Sequence, residues 1–132
     1  MNDTNPCFDD VLSTHVLIRD WLSGAVTAPE HCADLLARFS PAFTMVAPGG
    51  TQLDHAGLTT FFRAAGGSRP GLQMHISDLV LIQESAAGAT VSYRECQSLP
   101  GGENTERLST VVYDKTPAGA LLWRHLHETW VV

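Results

Sequence analysis

The second half of the chain constrains the fold most. Four stretches rich in aliphatic and hydroxyl residues run over about Leu72–Glu84, Thr90–Leu99, Thr105–Lys115 and Ala120–Val131. Only Ala86-Ala87-Gly88, Pro100-Gly101-Gly102 and Thr116-Pro117-Ala118-Gly119 separate them. Links this short cannot carry a chain back along a sheet, so they join antiparallel neighbours. The spacing predicts a four-strand antiparallel meander.

The first half carries helical spacing instead. Pro6 suits a first helical position after Asn5. Phe8, Val11, Leu12, Val16 and Leu22 then recur near the helical period, and Leu17, Ile18 and Trp21 widen the stripe. A stripe that wide predicts a helix buried on more than one side, with Gly24 as its stop. Thr27 and Glu30 have capping-box spacing for a second helix, which carries Cys32, Leu35 and Leu36 and is limited by Pro41. Ala42–Ala47 reads as a short strand, Pro48-Gly49-Gly50 as a turn and Thr51–Leu53 as the returning strand. Asp54 can cap a third helix holding Leu58, Phe61 and Phe62. Gly66-Gly67 ends it, and Ser68–Gly71 is loop. This order is α+β. A bent sheet around such helices leaves an apolar-walled cavity at its open end, the usual shape of a small-molecule site. No repeat, low-complexity tract or linker interrupts the 132 residues, so 1–132 reads as one domain.

Charge narrows the partners. Eight basic residues face fourteen acidic ones, for a formal charge of −6, and Lys115 is the sole lysine. A nucleic acid or an anionic membrane needs a basic face, so neither is expected as a partner. The segment Met1–Asp10 is acidic without an apolar run, unlike a signal peptide. The longest strongly aliphatic run, Leu79–Ile82, is too short to span a bilayer. Cys7, Cys32 and Cys96 form no CxxC pair, and an odd number of scattered thiols fits a reduced, cytoplasmic setting.

The most specific residues close the chain: Trp123-Arg124-His125-Leu126-His127-Glu128-Thr129. This run resembles the last strand of SnoaL-like domains of the nuclear transport factor 2-like superfamily. The association domain of calcium/calmodulin-dependent kinase ends similarly. Phe43–Gly50 with Gly57-Leu58, and Tyr93–Gln97 with Arg107-Leu108-Ser109, resemble that family's first hairpin and central strands. The resemblance implies a cone-shaped α+β fold, with three N-terminal helices packed in a curved, mixed, mainly antiparallel sheet. It implies no single chemistry, since the superfamily holds isomerases, dehydratases, cyclases and non-catalytic assembly domains.

Strand alternation then sorts the candidate site residues. Trp123, His125, His127 and Thr129 are expected on one face of the last strand, and Arg124, Leu126, Glu128 and Trp130 on the other. His127 is the first candidate for proton transfer, because imidazole titrates near neutrality and the resemblance places a histidine there. A core or interface histidine bonded to the sheet is the competing reading. Asp78 or Glu95 is the candidate acidic partner; Asp78 equally suits a solvated strand edge. Arg107 can hold an anionic or oxygen-bearing group through its planar fork, or pair with Glu95. Tyr93, Tyr113, His125 and Trp123 complete the candidate substrate contacts, although tyrosines of this kind often fill a core.

His125-x-His127 invites a metal, but the third ligand would have to come from His75 or Glu95 across the sheet, and none is expected. Neither Gly49-Gly50 nor Gly66-Gly67 begins a phosphate-binding pattern, so no nucleotide or other cofactor is expected. Asp54-His55 is explained by capping. No serine elbow or cysteine nucleophile is present.

Two functions remain. One is a small-molecule-binding domain with a central pocket, running cofactor-free isomerisation or dehydration by proton transfer. The other is a non-catalytic homodimeric assembly or sensing module, with Trp130 or Tyr113 at the interface and aromatic side chains plugging the cavity. Both allow a homodimer.

Overall fold

The computed structural model describes residues 5–132. Residues 1–4 of the acidic start lie outside the described residues. The elements are α1 (Pro6–Ser23), α2 (Pro29–Leu36), β1 (Phe39–Val46), β2 (Gln52–Asp54), α3 (His55–Ala65), β3 (Gln73–Glu84), β4 (Gly88–Ser98), β5 (Asn104–Lys115) and β6 (Leu121–Trp130). The expected meander is β3 to β6.

Local chemistry sets the helix ends. The Asn5 side chain accepts from the Cys7 N–H at 2.8 Å, with Pro6 in the first turn. Gly24 takes φ +81° and returns its N–H to the Trp21 carbonyl, a left-handed cap that favours glycine. Asp54 caps α3 by accepting from the Gly57 N–H at 2.8 Å. The expected capping box of α2 is absent. Its N-cap is Ala28, without a side-chain bond, because Pro29 takes the first helical position and needs no acceptor for a missing N–H. Pro41 does not mark the end of that helix either. It lies inside β1, in the stretch between Phe39 and Thr44 where pairing with β6 shifts register. A residue without an N–H is tolerated at such an irregularity.

One six-stranded sheet runs in the order β2-β1-β6-β5-β4-β3. β1 and β6 pair in parallel and every other pair is antiparallel. The helices cover one face: α1 lies on β3 and β4, α3 on β1 and β2, and α2 on both helices. Ala89, Val91, Tyr93, Glu95 and Gln97 alternate as buried residues along β4, which fixes the inner face.

The register of β6 decides the site. Val112 pairs with His125 but Tyr113 pairs with Trp123, so Arg124 is an extra residue. A bulge of one residue reverses the alternation on either side of it. Trp123 faces the helices, 1% exposed. Beyond the bulge Leu126 and Glu128 face the same way, while His125 and His127 point to the outer face. The expected sharing of one face by Trp123, His125, His127 and Thr129 is thereby corrected.

Asp10 ties this strand to α1. Its Oδ1 accepts from Trp123 Nε1 at 2.7 Å, Tyr113 Oη at 2.9 Å and Thr14 Oγ1 at 3.2 Å. Trp123 also packs against Phe39, Tyr113 and the His15 ring, with centroids 5.6, 5.5 and 6.0 Å away. Such aromatic contacts contribute about 0.5–1.5 kcal/mol each beyond area burial. Among the described residues, no helix is long and apolar enough to cross a membrane.

Candidate functional site

Between the helices and the inner sheet face lies a cavity of about 360 Å³. Its walls are apolar: Phe43 and Met45 from β1, Leu58 and Phe62 from α3, and Leu126 from β6 are among them. Its polar groups are His15, Arg69, Glu95, Gln97, Arg107 and Glu128, with Ser68 beside them. A few convergent polar groups in an apolar hollow are the signature of a binding site.

His15 and Glu95 form the innermost pair. His15 is 5% exposed and Glu95 2%. His15 Nδ1 lies 2.7 Å from the Val11 carbonyl, and Nε2 lies 3.0 Å from Glu95 Oε1. A carbonyl only accepts, so Nδ1 carries a proton and donates. Nε2 and Glu95 then share one further proton. Burial opposes the charged imidazole. The Glu95 hydrogen bond and charge, the Val11 carbonyl and the Glu128 charge outweigh it, and His15 is held above its ordinary pKa. Burial likewise pushes the Glu95 carboxyl up. The bond and charge of His15, the Arg107 charge and the Gln97 amide outweigh it, and Glu95 is held below its ordinary value. Both directions favour the imidazolium–carboxylate form of the pair. The other Glu95 oxygen accepts from Gln97 Nε2 at 2.6 Å, and Gln97 Oε1 accepts from Arg69 Nη1 at 3.2 Å. Both oxygens of Glu95 are therefore engaged.

Glu128 is tuned the opposite way. It is 6% exposed. Burial first, and then the negative charge of Glu95, raise its pKa; Arg107 and the Ser109 hydroxyl offset only part. Ser109 Oγ donates to Glu128 Oε2 at 3.1 Å and Arg107 Nη1 to Oε1 at 3.3 Å. Two carboxyl groups in one cavity are thus pushed in opposite directions, the usual basis for dividing acid and base roles. Trp130 stacks on the Arg107 guanidinium, 4.8 Å from its carbon to the ring centroid.

The structure scatters the sequence-predicted residues. Glu95 and Arg107 line the cavity, and Trp123 lends it one wall. Arg107 faces Glu95 across the strands but its ion pair is with Glu128. Tyr93 is buried with its hydroxyl unpartnered, and its ring stands edge-on to His15 at 5.4 Å. Burial, then the charges of Glu95 and Glu128, hold that phenol well above its ordinary pKa. Tyr113 is spent on Asp10.

Tyr93 and Tyr113 lie off the cavity lining, and so do the other three. His127 is exposed on the outer face because the Arg124 bulge turned it there. His125 shares that face, with Nδ1 2.8 Å from Thr44 Oγ1; burial, His127 and Arg124 lower its pKa. Asp78 sits at a bulge of edge strand β3 with φ +55°, its side chain 73% exposed and 3.4 Å from Arg94. Among the described residues no three His, Cys, Asp or Glu side chains converge as a metal site.

Sequence reasoning missed His15, Arg69 and the inward turn of Glu128. His15 left a readable signal: it falls four residues after Val11 and seven before Leu22, inside an apolar stripe. Glu128 left none, since its orientation depends on a bulge.

No protein-family model matches the chain. Solved structures do. An NTF2-like protein of unknown function from Pseudomonas aeruginosa is 43% identical, with 95% of this chain and 98% of that one covered at a TM-score of 0.89. The chain belongs to the NTF2-like family. More distant members share the fold. A protein provisionally described as a ketosteroid isomerase, from Parabacteroides distasonis, is 17% identical over 98% of this chain and 90% of its own, at a TM-score of 0.69. The CaMKII hub of S. rosetta is 18% identical over 98% and 100%, at 0.68. Among curated proteins, sucrose-phosphatase 2 of Nicotiana tabacum is 29% identical over 128 residues, which are 92% of this chain. The chain spans about 30% of the length of that relative.

Proposed function

We propose that this NTF2-like domain binds a partly apolar small molecule in its cavity and moves a proton on it without a cofactor, as in isomerisation or dehydration. One observation carries the reading: a single apolar-walled hollow holds two buried carboxyl groups, Glu95 clamped by His15 and Gln97 and Glu128 held by Arg107 and Ser109, whose surroundings push them in opposite directions. Glu128 is the acid–base group. Glu95, clamped by His15 and Gln97, supplies the fixed negative charge that tunes it. Arg107 holds a substrate oxygen. His127 and Asp78 have no part in this scheme, because neither lines the cavity.

The test is a thermal-shift screen of apolar ketones, enols and hydroxy compounds, followed by NMR of the hits in deuterated buffer. Hits should lose their stabilising effect in Leu126→Trp, which fills the cavity, and keep it in His127→Ala. Deuterium should enter next to the carbonyl of a hit and stop entering in Glu128→Gln. Hits indifferent to Leu126→Trp, or deuterium exchange unchanged in Glu128→Gln, would refute the scheme.

A homodimer fits the same chain. Among the described residues no helix covers the outer sheet face, and Val80, Ser92, Thr110, His127 and Val46 run across five strands as a registered row free of Asp, Glu, Lys and Arg. Such a face suits a second copy related by a two-fold axis. Tyr113 cannot serve that interface, being buried on the inner face. Light scattering at micromolar concentration tests the dimer, and a clean monomer refutes it.

A further inference from the structure

The cavity holds more cationic donor capacity than its own carboxylates use. His15 and Glu95 compensate each other. Arg107 does not fare so well. Its side chain is 13% exposed, and its sole ion pair among the described residues is the 3.3 Å contact with Glu128. That is long for a charge-assisted bond and engages one nitrogen of a fork built to hold two oxygens. Arg107 Nε is buried with no hydrogen-bond partner among the described residues. Trp130 fixes the plane of the guanidinium from the side, while the residue lines the cavity. Arg69, on the loop between α3 and β3, brings a second guanidinium to the lining. It spends one bond on Gln97 and otherwise meets only Glu103, 3.6 Å away and 67% exposed.

We propose that the cavity takes a small organic monoanion, a carboxylate on an apolar body, with its oxygens on Arg107 and Arg69. This rests on the reading of the cavity as a ligand site, and not on catalysis there. The apolar body lies against Phe43, Leu58, Phe62 and Leu126. A planar carboxylate matches the guanidinium fork. A phosphate dianion fits less well, because Glu95 and Glu128 already line the cavity and would repel a second negative charge.

Glu128 sets the pH dependence. The groups that face it are His15 on α1, Tyr93 and Glu95 on β4, and Arg107 and Ser109 on β5, and Arg69 on the loop shares the cavity lining. β1 and α3 contribute only apolar side chains to the lining. A bound anion beside Glu128 favours its neutral form. Binding therefore takes up a proton wherever Glu128 is ionised beforehand, and it weakens as pH rises.

The probes are octanoate and octanamide, which share a body and differ in charge. Titration calorimetry of the full chain at pH 6 and pH 8, in two buffers of different ionisation heat, reads affinity and proton uptake together. Octanoate should bind at least about tenfold tighter than octanamide at pH 6. Its affinity should fall by pH 8 with net proton uptake. Glu128→Gln should flatten the pH dependence of octanoate binding. Arg107→Lys, which keeps the charge and loses the fork, should narrow the gap between the two probes. Octanamide binding as tightly as octanoate to the wild-type chain overturns the anion proposal and leaves the cavity reading intact. Binding of neither probe, or octanoate binding unchanged in Leu126→Trp, overturns both.

Discussion

Removing the imidazole of the buried pair should cost more stability than any surface change, and the cost should depend on pH. His15→Gln leaves the Glu95 Oε1 without its cation in a site where both residues are at most 5% exposed. Breaking one partner of such a pair typically costs about 3–5 kcal/mol. A domain of this size has about 5–15 kcal/mol to lose, so the melting temperature should drop by about 10–20 °C. The pH window follows from the two directions. His15 has a raised folded pKa, so its contribution is complete below the ordinary 6.5 and disappears as pH climbs through the folded value. Glu95 has a lowered one, so its contribution is complete above the ordinary 4.5 and disappears on acidification through the folded value. The gap between wild type and His15→Gln should thus be widest near pH 5–6 and shrink towards alkaline pH. Urea denaturation at pH 5.5, 7 and 9 reads it directly. The double replacement His15→Phe with Glu95→Leu should lose less than either single one, because neither member of the pair is left as an unpaired buried charge. A loss below about 1 kcal/mol at pH 5.5, or a gap that does not change with pH, would refute the ion pair.

Two further perturbations test the supports of the site. Asp10→Ala strips the acceptor from Trp123 and Tyr113 and should cost about 2–4 kcal/mol by chemical denaturation, with Asp10→Asn recovering part of it. Glu128→Gln should lose less stability than the wild type between pH 4 and pH 8, read by urea denaturation. Its raised pKa makes the wild type lose stability as pH climbs from the ordinary 4.5 through the folded value, and the amide has no such loss. Equal stability of the two proteins from pH 4 to pH 8 would contradict the shift.

The elements were legible because each rested on local chemistry: the Asn5–Pro6 start, the Gly24 stop, the Asp54 cap and the three tight glycine links. The α2 cap was misread where two local signals competed, and Pro29 overrode Thr27. Where the site departs from expectation the cause is not local at all. Alternation along β6 is correct on each side of Arg124 and wrong across it. A strand's face depends on its register with its partner, and a one-residue insertion in that register leaves no trace in composition or period. The same insertion has a structural use. Without it, Trp123 on the inner face would bring His125 and His127 inward with it and send Glu128 outward. The two imidazoles would then confront His15 and Arg107 with only Glu95 to balance them. With it, one end of β6 anchors α1 through the bond from Trp123 to Asp10, and the other delivers a carboxyl beside Arg107 and Ser109. Anchoring and chemistry make opposite demands on alternation, and a bulge between them lets a single strand satisfy both.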